Sequence, residues 1–170
     1  GLKFSSFIIS ISGNNLIIAL VLTMASSLIL GMGLPTAAAY ILVATLTAPA
    51  LVTMGVDLMA AHMFVFYSAM LSSITPPVAL AAFAAAAISR EPPMRVAMIS
   101  VKYGFVAFLL PYFFVLEPRL LLMGTLGEAI GVFLMAAIGI VTLASVLQGY
   151  AMGSLSWLTR TVLAVAALCL

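Results

Sequence analysis

The sequence predicts an all-α integral membrane protein: a re-entrant helical hairpin, a discontinuous transmembrane helix and further spans. Composition is the first reason. Of 170 residues, 66% are hydrophobic and 6% charged, with a mean hydropathy of +1.37, where a soluble domain carries about 25% charged side chains. The second is a succession of apolar runs long enough to enter a bilayer. The third is that glycine and proline cut two of those runs, at Gly31-Met32-Gly33-Leu34-Pro35-Thr36 and at Ile74-Thr75-Pro76-Pro77-Val78. Lipid tolerates broken backbone pairing only where protein or a polar cavity surrounds it.

In chain order, residues 1–13 alternate small polar and apolar types and read as an interfacial or connecting segment. Asn14 and Asn15 then offer a cap to the next helix. The apolar run 16–30 spans roughly 22 Å at helical rise, short of the ~30 Å hydrocarbon core. After the first break, 37–54 is apolar again, with Pro49 expected to kink it near its end. The short first arm favours a re-entrant hairpin over residues 14–54, with its tip at the break, over two successive spans. Residues 53–59, with Gly55 and Asp57, read as a surface turn.

Residues 60–89 would measure about 45 Å as one straight helix. That is too long for an untilted span, and Thr75-Pro76-Pro77 divides it into a discontinuous helix. Arg90-Glu91-Pro92-Pro93 marks a loop. Residues 96–116, containing Lys102 and Pro111, form a span closed by Glu117-Pro118-Arg119. Another span covers 129–147, followed by a Gly/Ser loop at 148–156 and a last apolar run from Trp157. Arg90, Arg95 and Lys102 put the 90–95 loop in the cytoplasm by the positive-inside rule. Both ends of the hairpin and the 117–127 loop then face outward, and 148–156 faces inward. The chain opens without an initiator Met and stops inside an apolar run, so a piece of a longer polypeptide is expected.

The breaks carry the chemistry. Pro76 and Pro77 have no N–H, so the carbonyls of Ser72 and Ser73 lose their helical donors. Pro76 pushes Thr75 toward extended geometry. The expected result is a half-helix ending in free carbonyls, supplemented by the hydroxyls of Ser72, Ser73 and Thr75. Hard oxygen ligands on a negative helix end suit a small cation such as Na⁺. The second half-helix is expected to start with proline in its first positions, its positive end facing an anionic group. In the first break Gly31 is expected to take the left-handed geometry that ends a helix. Pro35 removes a donor from the Gly31 carbonyl, Thr36 adds a hydroxyl, and Gly33 permits close backbone approach. Two broken helices in one chain are the pattern of half of a secondary transporter built from inverted repeats.

The remaining polar residues have plainer readings. His62 is expected to be hydrogen-bonded to a neighbour or the interface, with proton relay as its functional alternative. Asp57 reads as a solvated loop carboxylate, Lys102 as snorkelling, and Glu128 as complementing a helix dipole. Ala81 to Ala87 and the pair Ser27/Gly31 form small-residue packing faces. The eleven Met residues read as adaptable packing. HExxH, GxSxG and Walker motifs and paired intramembrane Asp residues are missing, which argues against an enzyme. One His and one distant Cys make no transition-metal cluster, and six scattered basic residues make no nucleic-acid surface.

Several runs together closely resemble one family: Leu28-Ile29-Leu30-Gly31-Met32-Gly33-Leu34-Pro35-Thr36-Ala37-Ala38-Ala39-Tyr40, Ala48-Pro49-Ala50-Leu51, Ala61-His62-Met63-Phe64-Val65-Phe66-Tyr67, and Ile74-Thr75-Pro76-Pro77-Val78-Ala79-Leu80. They look like the large membrane subunit of TRAP (tripartite ATP-independent periplasmic) transporters, in the fused form that works with TAXI-type binding proteins. The likeness covers roughly residues 1–120, while 121–170 look like additional C-terminal helices. Other branches tend to carry an acidic residue just after the tip glycines, where Pro35-Thr36 stands here.

The resemblance implies an elevator-type carrier of an organic acid anion, driven by Na⁺ and needing no other cofactor, in a bacterial or archaeal cytoplasmic membrane. A soluble periplasmic protein would deliver the anion. This chain would be the second inverted repeat (hairpin, broken helix and span), partnered by the N-terminal half of the permease and a small membrane subunit. By resemblance the Na⁺ ligands fall around Gly31, Gly33, Ser73, Thr75 and Val78, with Thr36, Pro76 and Pro77 closest to substrate. A proton-coupled carrier using His62 and a non-transporting scaffold subunit are the competing readings.

Overall fold

The computed structural model describes residues 2–150 together with Arg160, Thr161 and Leu163. Among them are eight α-helices: α1 (Leu2–Ser12), α2 (Leu16–Gly31), α3 (Thr36–Thr53), α4 (Leu58–Leu71), α5 (Leu80–Ser89), α6 (Pro93–Gly104), α7 (Leu110–Leu116) and α8 (Leu126–Gln148). The chain divides into one compact unit over residues 1–116 and a second from 117 onward. Among the described residues, three segments are long and apolar enough to cross a membrane: Thr36–Thr53, Pro93–Leu116 and Leu126–Gln148.

The first unit opens with a correction. Residues 2–12 form helix α1 rather than a connecting segment. Its small polar residues recur at helical spacing: Ser5, Ile8 and Ser12 are buried together, and the Ser5 hydroxyl donates to the Leu46 carbonyl of α3 at 3.0 Å. Asn15 caps α2, accepting the Ile18 N–H at 3.2 Å. Helices α2 and α3 form the two arms of the expected hairpin, and α3 runs through Pro49 as one helix. Asp57 is more than a solvated carboxylate, since it caps α4 by accepting the Met59 N–H at 2.7 Å. Both α2 and α4 run toward the breaks, so they lie side by side in parallel, with α3 returning against both.

Their shared core is small and close-packed. Fully buried positions are Ala19, Leu20, Thr23 and Ser27 on α2, Ala39, Val43, Thr47 and Leu51 on α3, and Ala61, Phe64, Val65 and Ser68 on α4. Each hydroxyl among them except that of Thr23 is satisfied within its own helix: Ser27 donates to the Thr23 carbonyl, Thr47 to Val43 and Ser68 to Phe64. Back-bonding of this kind lets small polar side chains sit inside an apolar interface without an unmet donor.

The discontinuous helix is present as α4 and α5. Of the alanines at 81–87, read as a packing face, only Ala82 and Ala86 are buried, and Ala82 packs with Ala79 and with Ala97 of α6. The span read as 96–116 starts earlier and is itself broken. Helix α6 ends at Gly104, a 3-10 turn covers Phe105–Phe108, and α7 follows. Pro111 accounts for the restart, because it cannot donate to the Ala107 carbonyl and fits readily in a helix's first turn.

In the second unit, Thr125 and Glu128 form a reciprocal capping box at the start of α8, so the dipole reading of Glu128 gains a second bond. Helix α8 is apolar all round, with only Ala129 buried within the described residues, as expected of a helix surrounded by lipid or other spans. It ends at Gly149, whose φ of +73° is left-handed, and the Arg160 Nε donates to the Val146 carbonyl at 2.9 Å. The rest of the predicted Gly/Ser loop and the run from Trp157 lie outside the described residues, apart from Arg160, Thr161 and Leu163.

Candidate functional site

The first break spans residues 32–35. The Met32 N–H turns to the Ile29 carbonyl at 3.3 Å and the Leu34 N–H to the Gly31 carbonyl at 3.2 Å. Both are three-residue bonds, so the carbonyls of Leu28 and Leu30 lose their regular four-residue donors. The left-handed residue is Gly33, at φ +75°, not Gly31 as the sequence suggested. Gly31 is the last residue of α2 and is buried. Thr36 opens α3 and is exposed, as are Gly33 and Pro35.

In the second break, α4 passes into a 3-10 turn over Ser72–Ile74, and Thr75 is extended at φ −93°, ψ 124°, as proline after it requires. The carbonyl accounting differs from expectation. The Ser72 carbonyl is not orphaned, because the Thr75 N–H reaches it at 3.2 Å. The Ser73 carbonyl has no amide to meet, since its helical donor would be Pro77. Three hydroxyls serve the preceding helix end: Ser72 donates to Ala69 at 2.6 Å, Ser73 to Met70 at 2.7 Å and Thr75 to Leu71 at 2.7 Å. Their protons are committed, which leaves oxygen lone pairs as the only outward function, and lone pairs suit a cation. The Pro76–Pro77 peptide is cis. Neither proline sits in the first turn of the next half-helix; α5 starts at Leu80 with Ala79 as its cap, because the double proline extends the link before a helix can resume.

The two breaks meet. A Cβ on Gly31 would stand 2.6 Å from the Ser72 Oγ and 3.1 Å from its Cβ, so glycine there leaves the room that Ser72 occupies. A Cβ on Gly33 would stand 3.4 Å from Val78 Cγ1. Gly31 and Ser72 lie buried beneath, while Gly33, Pro35, Thr36, Pro77 and Val78 are exposed above them. Of the predicted site residues, Gly31, Gly33 and Val78 therefore belong to one neighbourhood, and Thr75, three residues before Val78, turns its hydroxyl to the Leu71 carbonyl. Ser73 is the exception, for its hydroxyl faces the exposed side while Ser72 faces the other break. The signal for Ser72 was the four-residue step Phe64–Ser68–Ser72, which continues the packed face of α4.

His62 is elsewhere. It precedes Ser72 by ten positions on α4, roughly 15 Å along a helix axis. Its Nδ1 lies 3.0 Å from the Tyr40 hydroxyl, which is the predicted neighbour bond. Tyr40 also packs edge-on to Phe66 at 5.5 Å. Beside His62 is a cavity of about 360 Å³ lined by Ala44, Thr45, Ala48, Pro49, Val52 and Leu58.

Comparison with known families matches residues 1–129 to the DctM component of the tripartite ATP-independent periplasmic transporters. The chain belongs to this family. The DctM match takes in both breaks, α1 to α7 and the start of α8. It makes the chain a multi-pass membrane component of a TRAP transporter and not an enzyme, in agreement with the apolar spans. No curated protein and no solved structure matched the chain.

Proposed function

We propose that this DctM chain contributes the ion-binding and substrate-binding half of a secondary transporter that imports an organic acid anion together with Na⁺. The observation that carries the reading is the meeting of the two breaks, Gly31 against Ser72 and Gly33 against Val78. Released carbonyls of Leu28, Leu30 and Ser73 and the lone pairs of Ser72 and Thr75 give an oxygen-rich, acceptor-only neighbourhood. Acceptors without protons attract a small cation, and the ends of α2 and α4 add negative dipole charge. Opposite them, the amide ends of α3 and α5 carry positive dipole charge suited to a carboxylate.

Thr36, Pro76 and Pro77 then stand nearest the anion. The reading extends to residues 1–120 as the second inverted repeat, moving as one packed body. An N-terminal half of the permease, a small membrane subunit and a TAXI-type periplasmic binding protein complete the system in a bacterial or archaeal cytoplasmic membrane. In that frame the 90–95 loop faces the cytoplasm.

The test is uptake of candidate organic anions by the full-length permease in proteoliposomes with its binding protein, with and without a Na⁺ gradient. Wild-type uptake is expected to require Na⁺, and Thr75→Ala to abolish it or raise the Na⁺ requirement sharply. Folded protein with Na⁺-independent uptake would overturn the coupling. The Tyr40–His62 pair supports one second reading, proton coupling. It predicts uptake driven by a pH gradient without Na⁺ and lost in His62→Gln.

A further inference from the structure

Gly104 stands outside both breaks, yet its place in the fold calls for an explanation. Its backbone, at φ −82° and ψ 2°, is a turn geometry open to any L-residue. Glycine is common at helix ends because it can turn left-handed, but Gly104 does not use that freedom, so conformation gives no reason for it. Space does. A Cβ on Gly104 would stand 2.9 Å from Cδ1 of Ile74, closer than real carbon atoms approach. Ile74 is the last residue of the 3-10 turn, immediately before Thr75-Pro76-Pro77. At that same level α6 ends and its span changes to 3-10 geometry.

We infer that Gly104 is a positioning residue: the seat into which Ile74 inserts, fixing the second break against the segment Pro93–Leu116. The inference rests on the reading of the breaks as an ion site. The hairpin holds the second break from one side, through Gly31 and Gly33. The seat holds it from the other. A methyl group at position 104 meets the Ile74 Cδ1 and turns that side chain out of its seat, which removes the hold on the turn that carries Thr75 and the Ser73 carbonyl.

Ile→Val removes the one atom that the seat receives, which gives a size-exchange test. The full-length permease is purified in detergent and its thermal unfolding followed while NaCl replaces choline chloride at constant ionic strength. A ligand that binds the native state raises the midpoint by mass action, so the titration reports an apparent Kd for Na⁺. Gly104→Ala is expected to weaken it about five-fold or more. Ile74→Val, which leaves the seat short of that one methyl, weakens it less than Ile74→Ala, and Gly104→Ala with Ile74→Val returns to within about two-fold of wild type. Ile74→Ala, which empties the seat without crowding it, also weakens Na⁺ binding and keeps the test usable if Gly104→Ala does not fold. Unchanged Na⁺ response in Gly104→Ala or in Ile74→Ala, or a double variant no better than Gly104→Ala, overturns the inference alone. A wild-type protein indifferent to Na⁺ overturns the ion-site reading and this inference with it.

Discussion

Gly31 and Gly33 stand two residues apart and are needed for opposite reasons. Gly33 needs its backbone freedom, at φ +75°, whereas Gly31 has helical geometry and needs its missing side chain, because Ser72 fills the space. Gly31→Ala is therefore expected to cost about 1–3 kcal/mol by overpacking, and adding Ser72→Gly should recover most of it; thermal unfolding of the four variants measures the coupling. The sequence signalled that glycines end the helix but not which one turns, since either can adopt the left-handed region. The choice between Ser72 and Ser73 was equally hidden, because only the partner helix decides which hydroxyl is inside. Asp57 offers a simpler case. Its carboxylate caps α4, so Asp57→Ala should lower stability by about 0.5–2 kcal/mol and Asp57→Asn by far less.

Among elements, interruption is the recurring device. Apolar helices are broken after Gly31, after Leu71 and after Gly104, and all three sites of interruption are linked by the contacts Gly31–Ser72 and Gly104–Ile74. The first two were legible because glycine or proline inside an apolar run has few other meanings in lipid. The third was not, since Pro111 lies seven residues beyond Gly104 and the run 96–116 reads as one span through it. Helix α1 was missed for a related reason: Ser5 and Ser12 looked like interface polarity, while in the fold they are a small buried face. Small faces also hold α5 to α6. Replacing Ala97 with Leu should separate them at a cost of about 1–3 kcal/mol, seen as a lower thermal midpoint of the full-length protein.

For the whole molecule, composition alone was decisive about lipid: with 6% charged residues, long apolar segments such as Leu126–Gln148 have no soluble alternative. The family match over residues 1–129 then gives the fold its transport setting. Orientation is a prediction at this scale. The cluster of Arg90, Arg95 and Lys102 sets the 90–95 loop on the cytoplasmic side. A cysteine replacing Glu91 should react with an impermeant maleimide only in inside-out vesicles, and one replacing Gly124 only in right-side-out vesicles. The reverse pattern would invert the topology while leaving the fold unchanged.

The claim at the centre of the account is that the two breaks together hold one cation. Saturable binding of radiolabelled sodium to the purified full-length permease tests it without knowledge of the transported anion. The account predicts binding competed by unlabelled Na⁺ but not by choline, and lost or strongly weakened in Gly31→Ala and in Thr75→Ala alike. Binding that both folded variants retain at wild-type strength, or no saturable binding in the wild type, would contradict it.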